Sequence, residues 1–261
     1  MLTETSRDFA AIWERWRTWW LLAYQDILLR YRRSILGPFW ISLTMTTMVI
    51  ALTYLYASIF SQPYQDTLKY IASGIVAWWL LASFATEGAG ALIEAEGHLK
   101  SVRIPIPVIA GRVVARNMIV FGHNLLVTAV VLVLFGYQPS FATLLVIPAL
   151  ALYVVIGFGV TITLAPLALR YRDIQQAVNN IMQAAFFLTP IFWDPRKADN
   201  VRPFVSEINP FHHMIEIVRG PLLGYAPTAV NWGVSIGVAV LMGATALFAV
   251  NVSRKRVSLW L

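Results

Sequence analysis

Residues 140–169 read SFATLLVIPALALYVVIGFGVTITLAPLAL, a stretch without one charged side chain. A bilayer core takes about 20 helical residues to cross. A segment this long and this apolar therefore places the chain in a membrane rather than in water. Outward from it lie further apolar runs near 37–60, 70–92, 107–135, 176–193 and 229–252. Helix breakers punctuate them. Gly37-Pro38 opens the first run and Gln62-Pro63 follows it; Pro105 and Pro107 open the third. Tyr137-Gln138-Pro139 separates the third from the fourth, and Asp194-Pro195 ends the fifth, which is the shortest. The expected fold is an all-α integral membrane protein with six transmembrane helices over 37–261.

Composition agrees. Of 261 residues, 58% are hydrophobic and 13% charged, whereas a soluble domain carries roughly 25% charged residues. Mean hydropathy is +0.66. Such a chain cannot cover itself with polar side chains, so lipid must cover it. Cysteine is absent, which excludes a disulfide framework and any thiolate metal site.

Residues 1–36 carry a different pattern. Phe9, Trp13, Trp16, Trp20, Tyr24, Ile27 and Tyr31 recur at spacings of four and three, one face of a helix. Thr5 and Asp8 have the form of a capping box. Arg7, Glu14, Arg17, Gln25 and Asp26 fall largely elsewhere on the wheel. Charged residues scattered through this segment exclude the continuous apolar core of a signal peptide. It reads as an amphipathic helix in the membrane interface, the alternative being a helix packed on a soluble partner domain.

Cations set the orientation. With six spans, one side holds the N-terminal segment, the 94–106 loop, the 170–175 loop and the C-terminal tail. Counting Arg112 and Arg116, expected to snorkel back to that side, it holds 15 of the 20 Lys and Arg residues. The positive-inside rule then makes both termini cytoplasmic. The net charge of +7 reflects topology, and no nucleic-acid partner is expected. On the other side the loop 194–228 is long and semi-apolar, with Phe204, Val205 and Ile208 before Asn209-Pro210, and Phe211, Met214, Ile215 and Val218 before Gly220-Pro221. Two short helices there either re-enter the membrane, where irregular backbone needs protein or water around it, or form an exposed hairpin.

Catalytic signatures are missing. There is no G-x-x-x-x-G-K-[ST] loop for ATP phosphates, no D-x-x-D pair for a diphosphate-bound metal, no G-x-S-x-G and no H-E-x-x-H. His212, His213 and Glu216 share helical spacing; an interfacial hydrogen-bonding patch is preferred over a metal site. Glu87, His123 and Asn124 lie in apolar runs. Ionisable groups there cost roughly 2.5–3.5 kcal/mol, so these side chains should face the bundle interior, Asn124 as an interhelix hydrogen-bonding residue.

An ordered set of motifs carries a resemblance. The segment from Tyr24 to Trp40, YQDILLRYRRSILGPFW, resembles the lead into the first span of ABC-type polysaccharide exporter permeases, the O-antigen, capsule and teichoic-acid translocators. Lys100 to Pro105 resembles their first cytoplasmic loop and Arg170 to Ile174 the second; Thr189 to Trp193 and Asn209-Pro210 match the end of the fifth span and the outer loop. The resemblance implies a bacterial inner-membrane permease that is not itself an enzyme and needs no cofactor. It implies a homodimer that encloses a channel for a lipid-linked glycan, with two copies of a separate ATPase subunit binding the ATP. Glu94, Glu96, His98, Lys100 and Arg103 would form a coupling segment toward that ATPase, joined by Arg170, Arg172 and Asp173.

Substrate contacts follow from chemistry. A lipid-linked phosphate needs cations at the interface, and Arg30, Arg32 and Arg33 stand there; the Arg fork meets phosphate oxygens bidentately. Plain topology arginines are the alternative. Sugar C–H faces stack on rings, making Trp40, Tyr54, Tyr56, Trp78, Trp79, Phe186, Phe187, Phe192 and Trp193 channel candidates, with membrane-interface belts as the alternative. Rival functions are a small-molecule or drug ABC exporter permease, and a membrane-embedded glycosyl- or phosphotransferase, for which paired acidic residues at one interface are lacking.

Overall fold

The structure is a computed structural model that describes residues 2–101, 104–137, 139–195, 204–254 and 256–260. Among these residues it is all-helical, without a strand.

The interfacial segment forms two helices rather than one, α1 (Leu2–Glu14) and α2 (Trp16–Arg30). Between them Arg15 leaves helical geometry, with φ −108° and ψ 27°. The Trp19 indole donates to the Ile12 carbonyl at 2.8 Å, supplying the donor that the interrupted backbone no longer provides. The aromatic face is turned outward: Trp13, Trp16, Trp20 and Tyr24 are exposed, while Ala11, Ala23 and Ile27 are buried against the bundle. The periodicity is therefore helical, but the stripe divides: Trp13, Trp16, Trp20 and Tyr24 face outward, while Phe9 and Ile27 pack on the protein.

After the turn at 31–38 come α3 (Phe39–Ile59), α4 (Tyr64–Glu94), α5 (Glu96–Ser101) and α6 (Ile106–Leu134). A 3-10 turn at Phe141–Leu145 leads into α7 (Val146–Arg170), followed by α8 (Asp173–Leu188), α9 (Phe204–Glu207), α10 (Pro210–Leu222), α11 (Ala229–Ser253) and α12 (Val257–Trp260). Five of these, α3, α4, α6, the 3-10 turn with α7, and α11, are long and apolar enough to cross a membrane. Pro107 sits in the first turn of α6, where a missing N–H costs nothing.

The fifth apolar run, 176–193, is the exception. It forms α8, of 16 residues, about 24 Å long at 1.5 Å per residue against a core of about 30 Å. Pro190 explains the stop: a residue before proline is pushed out of helical geometry, and Thr189 is extended at φ −94°, ψ 135°.

The core is built round α4. Ile71, Ile75, Phe84 and Leu92 on this helix have no exposed surface, and α3, α6, α7, α8 and α10 all pack against it. At one end of the bundle, Tyr137 donates to the Pro221 carbonyl and Ser140 to that of Gly224, tying the α6–α7 connection to the end of α10. At the other end Arg254, just beyond α11, pairs with Glu4 at 2.9 Å and Asp8 at 3.1 Å of α1. The N- and C-terminal helices thus meet at the same end.

Candidate transport face and ion cluster

Helix α8 packs on α4 and α7 through one side only. On its other side Gln176, Asn180 and Gln183, at spacings of four and three, are exposed, as is Asn179. Gln176 donates to Asn180 at 3.0 Å. Gln183 lies about 15 Å along the axis from Asp173, deep enough to meet hydrocarbon. An amide moved into alkane without a partner costs about 4–8 kcal/mol. This face is unsuited to lipid and suited to water or to another polar surface. The amides have a legible signal in the sequence, their four-and-three spacing inside an apolar run.

The aromatic candidates separate by position. Tyr56, Phe192, Phe186 and Trp78 form a chain of rings with centroids 5.1, 4.8 and 5.7 Å apart, which Phe211 continues from Trp78 at 5.4 Å. Trp78 and Phe192 are 3% and 4% exposed, enclosed within the protomer. Trp40, Tyr54 and Phe187 are presented on the surface. Tyr56, Phe192 and Trp193 also border a cavity of about 490 Å³ with Tyr137, Asp66 and Lys69. Trp79 borders a smaller one, about 190 Å³, between α4 and α6. Asn124 borders that cavity, and its buried Oδ1 has no hydrogen-bond partner among the described residues.

Between α2, α4 and α6 lies a cluster of charges. Arg112 grips Asp26 with both ends of its fork, at 2.6 and 2.7 Å. Arg116 reaches Asp26 at 3.1 Å, Glu87 at 2.9 Å and Glu94 at 3.3 Å, with a side chain 4% exposed. Arg116 therefore does not snorkel to water as expected; three converging carboxylates hold it inside. Glu87 also pairs with Arg30 at 3.3 Å. Arg30 is thus tied to α4, whereas Arg32 and Arg33 are exposed in the turn after α2. Arg33 has φ 67°, a left-handed conformation that costs a non-glycine residue about 1–2 kcal/mol.

The coupling candidates occupy the same end. Glu94 is the last residue of α4 and Glu96 the first of α5. Leu99 packs α5 against a buried cluster with Ala95, Ile106 and Ile109. Arg103 lies outside the described residues, as do the side chains of His98 and Lys100. Arg170 lies over the Tyr171 ring at 4.9 Å and the Trp260 ring at 5.5 Å, holding the tail, while Arg172 and Asp173 are exposed.

At the opposite end α10 is fastened by polar contacts. Asn209 caps it, accepting from Phe211 N at 2.9 Å, and donates to the Thr189 hydroxyl at 3.0 Å. His213 uses both ring nitrogens, with Asn231 and the Glu207 carbonyl each at 2.8 Å. Glu216 accepts from Arg219 at 2.9 Å and from Tyr225 at 3.0 Å. His213 and Glu216 thus form the hydrogen-bonding patch preferred from their spacing. Arg219 went unassigned in sequence, although a lone arginine three residues after Glu216 is a pairing signal.

Residues 17–223 match the family described as ABC-2 type transporter. The chain belongs to that family. It is 24% identical over 191 residues to the O-antigen export system permease protein RfbA of Myxococcus xanthus, covering 72% of this chain and 74% of the relative. Two RfbA proteins of Klebsiella pneumoniae, also O-antigen export system permeases, are 24% identical over 200 and 214 residues. Those matches cover 75% and 78% of this ABC-2 chain and 76% and 81% of theirs. The five long apolar helices are thus those of an ABC-2 multi-pass membrane protein.

Proposed function

We propose that this chain is the permease subunit of an ABC exporter that carries a lipid-linked polysaccharide across the bacterial inner membrane. The observation that carries the reading is the amide stripe of α8, exposed on a helix that packs on the long apolar helices α4 and α7. A second copy of the chain facing it would enclose a polar path between two such stripes. Amides both donate and accept, so they can pass sugar hydroxyls along without holding any one of them tightly. The exposed rings of Trp40, Tyr54 and Phe187 offer stacking surfaces beside that path. The O-antigen export role of the RfbA relatives supports a glycan as cargo.

Two copies of a separate ATPase would supply the energy, since no P-loop is present, acting on α5 at the end where cations concentrate. Six crossings complete the topology, with both termini cytoplasmic. Connectivity supports the sixth: α7 ends beside α12, at the end where α1 also lies, whereas α10 ends beside the α6–α7 connection. A crossing by α8 would return the chain between them. In this arrangement α9 and α10 re-enter the membrane from outside, their backbone shielded by α4, α7 and α11. Arg30, Arg32 and Arg33 would meet the lipid phosphate.

The test is co-expression with a P-loop ATPase subunit from the same organism. A complex with two of each subunit should form and export glycan only when ATP is hydrolysed. ATPase activity from the isolated chain, or labelling of Lys100 by outside reagents in intact cells, would refute the assignment.

A further inference from the structure

We propose that Arg116 is a positioning residue that joins α2 to the end of α4, so that a push on α5 moves the interfacial helix together with the spans. This rests on the exporter reading above. The coupling path is short. Only Ala95, fully buried, separates Glu94 at the end of α4 from Glu96 at the start of α5, so whatever displaces α5 displaces Glu94. Arg116 holds Glu94 at 3.3 Å and Glu87, two turns earlier on the same helix, at 2.9 Å. Its Nη1 also reaches Asp26 of α2 at 3.1 Å.

Asp26 is in turn clamped by the Arg112 fork. The Trp19 ring lies over Gly111, where a methyl group would meet the indole at 3.0 Å. Helix α2 is thus fixed to α6 at two points one residue apart on α6, and to α4 through Arg116. Gln175 of α8 rests against Gly90 of α4, within the same two turns. The first turn of the amide-lined helix therefore adjoins the same joint.

Charge balance distinguishes this from ordinary topology arginines. Arg30, Arg112 and Arg116 face Asp26, Glu87 and Glu94, three cations against three anions drawn from α2, α4 and α6. A topology arginine needs water or a headgroup, not three carboxylates converging on a buried guanidinium. Coupling requires a physical element that both sites bias, and this cluster is continuous from α5 to α2.

The test measures glycans exported per ATP hydrolysed by the assembled complex with its ATPase. Arg116→Met should lower that ratio at least tenfold, because hydrolysis continues while α2, tied to α4 only through the partly exposed Arg30–Glu87 pair, follows it less closely. A purely structural role would lower hydrolysis and export together and leave the ratio unchanged. Should Arg116→Met fail to assemble, the double variant Asp26→Cys with Arg112→Cys decides. It removes one cation and one anion together, so no buried charge is orphaned. The chain has no cysteine of its own. The ratio should be low with both thiols free and recover when a short bis-thiol crosslinker bridges them. A normal ratio with free thiols, or a low ratio after bridging, overturns the joint. Wild type run alongside reports on the exporter reading: if it moves no glycan both ideas fall, whereas a working wild type with unaffected variants sinks the joint alone.

Discussion

Arg219 donates to the carbonyl oxygen of Pro190 at 3.0 Å, from a side chain with no exposed surface. The same guanidinium reaches Ile191 O at 3.3 Å, the Tyr70 hydroxyl at 2.5 Å and Glu216 at 2.9 Å. Its approach needs Gly74, because any Cβ there would collide with the guanidinium. Pro190 stops α8 at Leu188, and the buried carbonyls of Pro190 and Ile191 just beyond it lie outside any helix and need a donor; Arg219 is that donor. Arg219→Met should therefore destabilise the purified protein by about 3–5 kcal/mol, mostly by leaving Glu216 buried and uncompensated. Adding Glu216→Gln should recover part of the loss. An unchanged melting temperature in Arg219→Met would contradict this.

The amides of α8 should behave in the opposite way. Asn180→Leu and Gln183→Leu replace exposed polar groups, so melting should stay near wild type while glycan export falls. Cysteine placed at Asn180 in the assembled complex should react with a charged thiol reagent. Cysteine at Val155, exposed on the apolar surface of α7, should not. No labelling at position 180 would place α8 outside any aqueous path.

Much of this was legible because lipid imposes one demand, continuous apolar length, and the runs at 37–60, 70–92, 107–135, 140–169 and 229–252 answer it. The N-terminal helical segment was legible instead from the four-and-three spacing of Phe9 to Tyr31, although the break at Arg15 was not, since it depends on where the Trp19 indole finds the Ile12 carbonyl. The fifth run, 176–193, makes a helix shorter than its hydropathy suggests, because hydropathy does not register that Pro190 stops it. Which charges pair was out of reach: Asp26 and Arg116 are far apart in the chain, and their meeting depends on how α2 lies across α6. Among the rings, composition cannot distinguish Trp78, enclosed by Phe186 and Phe211, from Phe187, which faces out.

Those two rings give a direct comparison. Trp78→Ala should cost about 3–5 kcal/mol, as for other buried aromatics cut to alanine, and any loss of export should track the loss of folded protein. Phe187→Ala, at a side chain 67% exposed, should leave melting nearly unchanged and reduce export per folded complex. If Phe187→Ala melts as early as Trp78→Ala, the ring packs rather than lines.

Asp8 makes the contact between α1 and the tail depend on pH. Burial pushes its carboxyl above the ordinary value; the Arg254 guanidinium pulls it partly back, and Glu4 adds to the rise. The folded state therefore holds the proton more tightly than the unfolded state does. The stabilisation is complete below the ordinary carboxylate pKa and is lost as pH rises through the elevated folded value. Hydrogen-exchange protection of α1, corrected for intrinsic rates, should increase from about pH 7 to about pH 4. Asp8→Asn should flatten that slope without weakening protection at neutral pH, because Glu4 still pairs with Arg254 at 2.9 Å.

Arg33 allows backbone strain to be separated from charge. Its φ of 67° costs about 1–2 kcal/mol for any side chain with a Cβ, a cost retained at an exposed position beside Arg32. Arg33→Gly should relieve the strain, so the protein should insert normally and melt no earlier than wild type. Arg33→Lys keeps both the strain and the positive charge but loses the planar fork. A charge-assisted hydrogen bond to phosphate is worth about 1.5–3 kcal/mol. On the proposed function, glycan export by Arg33→Gly at limiting substrate should therefore fall about tenfold or more, with Arg33→Lys between it and wild type. Arg30, already paired with Glu87 at 3.3 Å, should be less sensitive to Lys than Arg33 is, since an ammonium can keep that contact. Export at the wild-type rate from Arg33→Gly, with insertion intact, would leave the left-handed turn as the only role of this position.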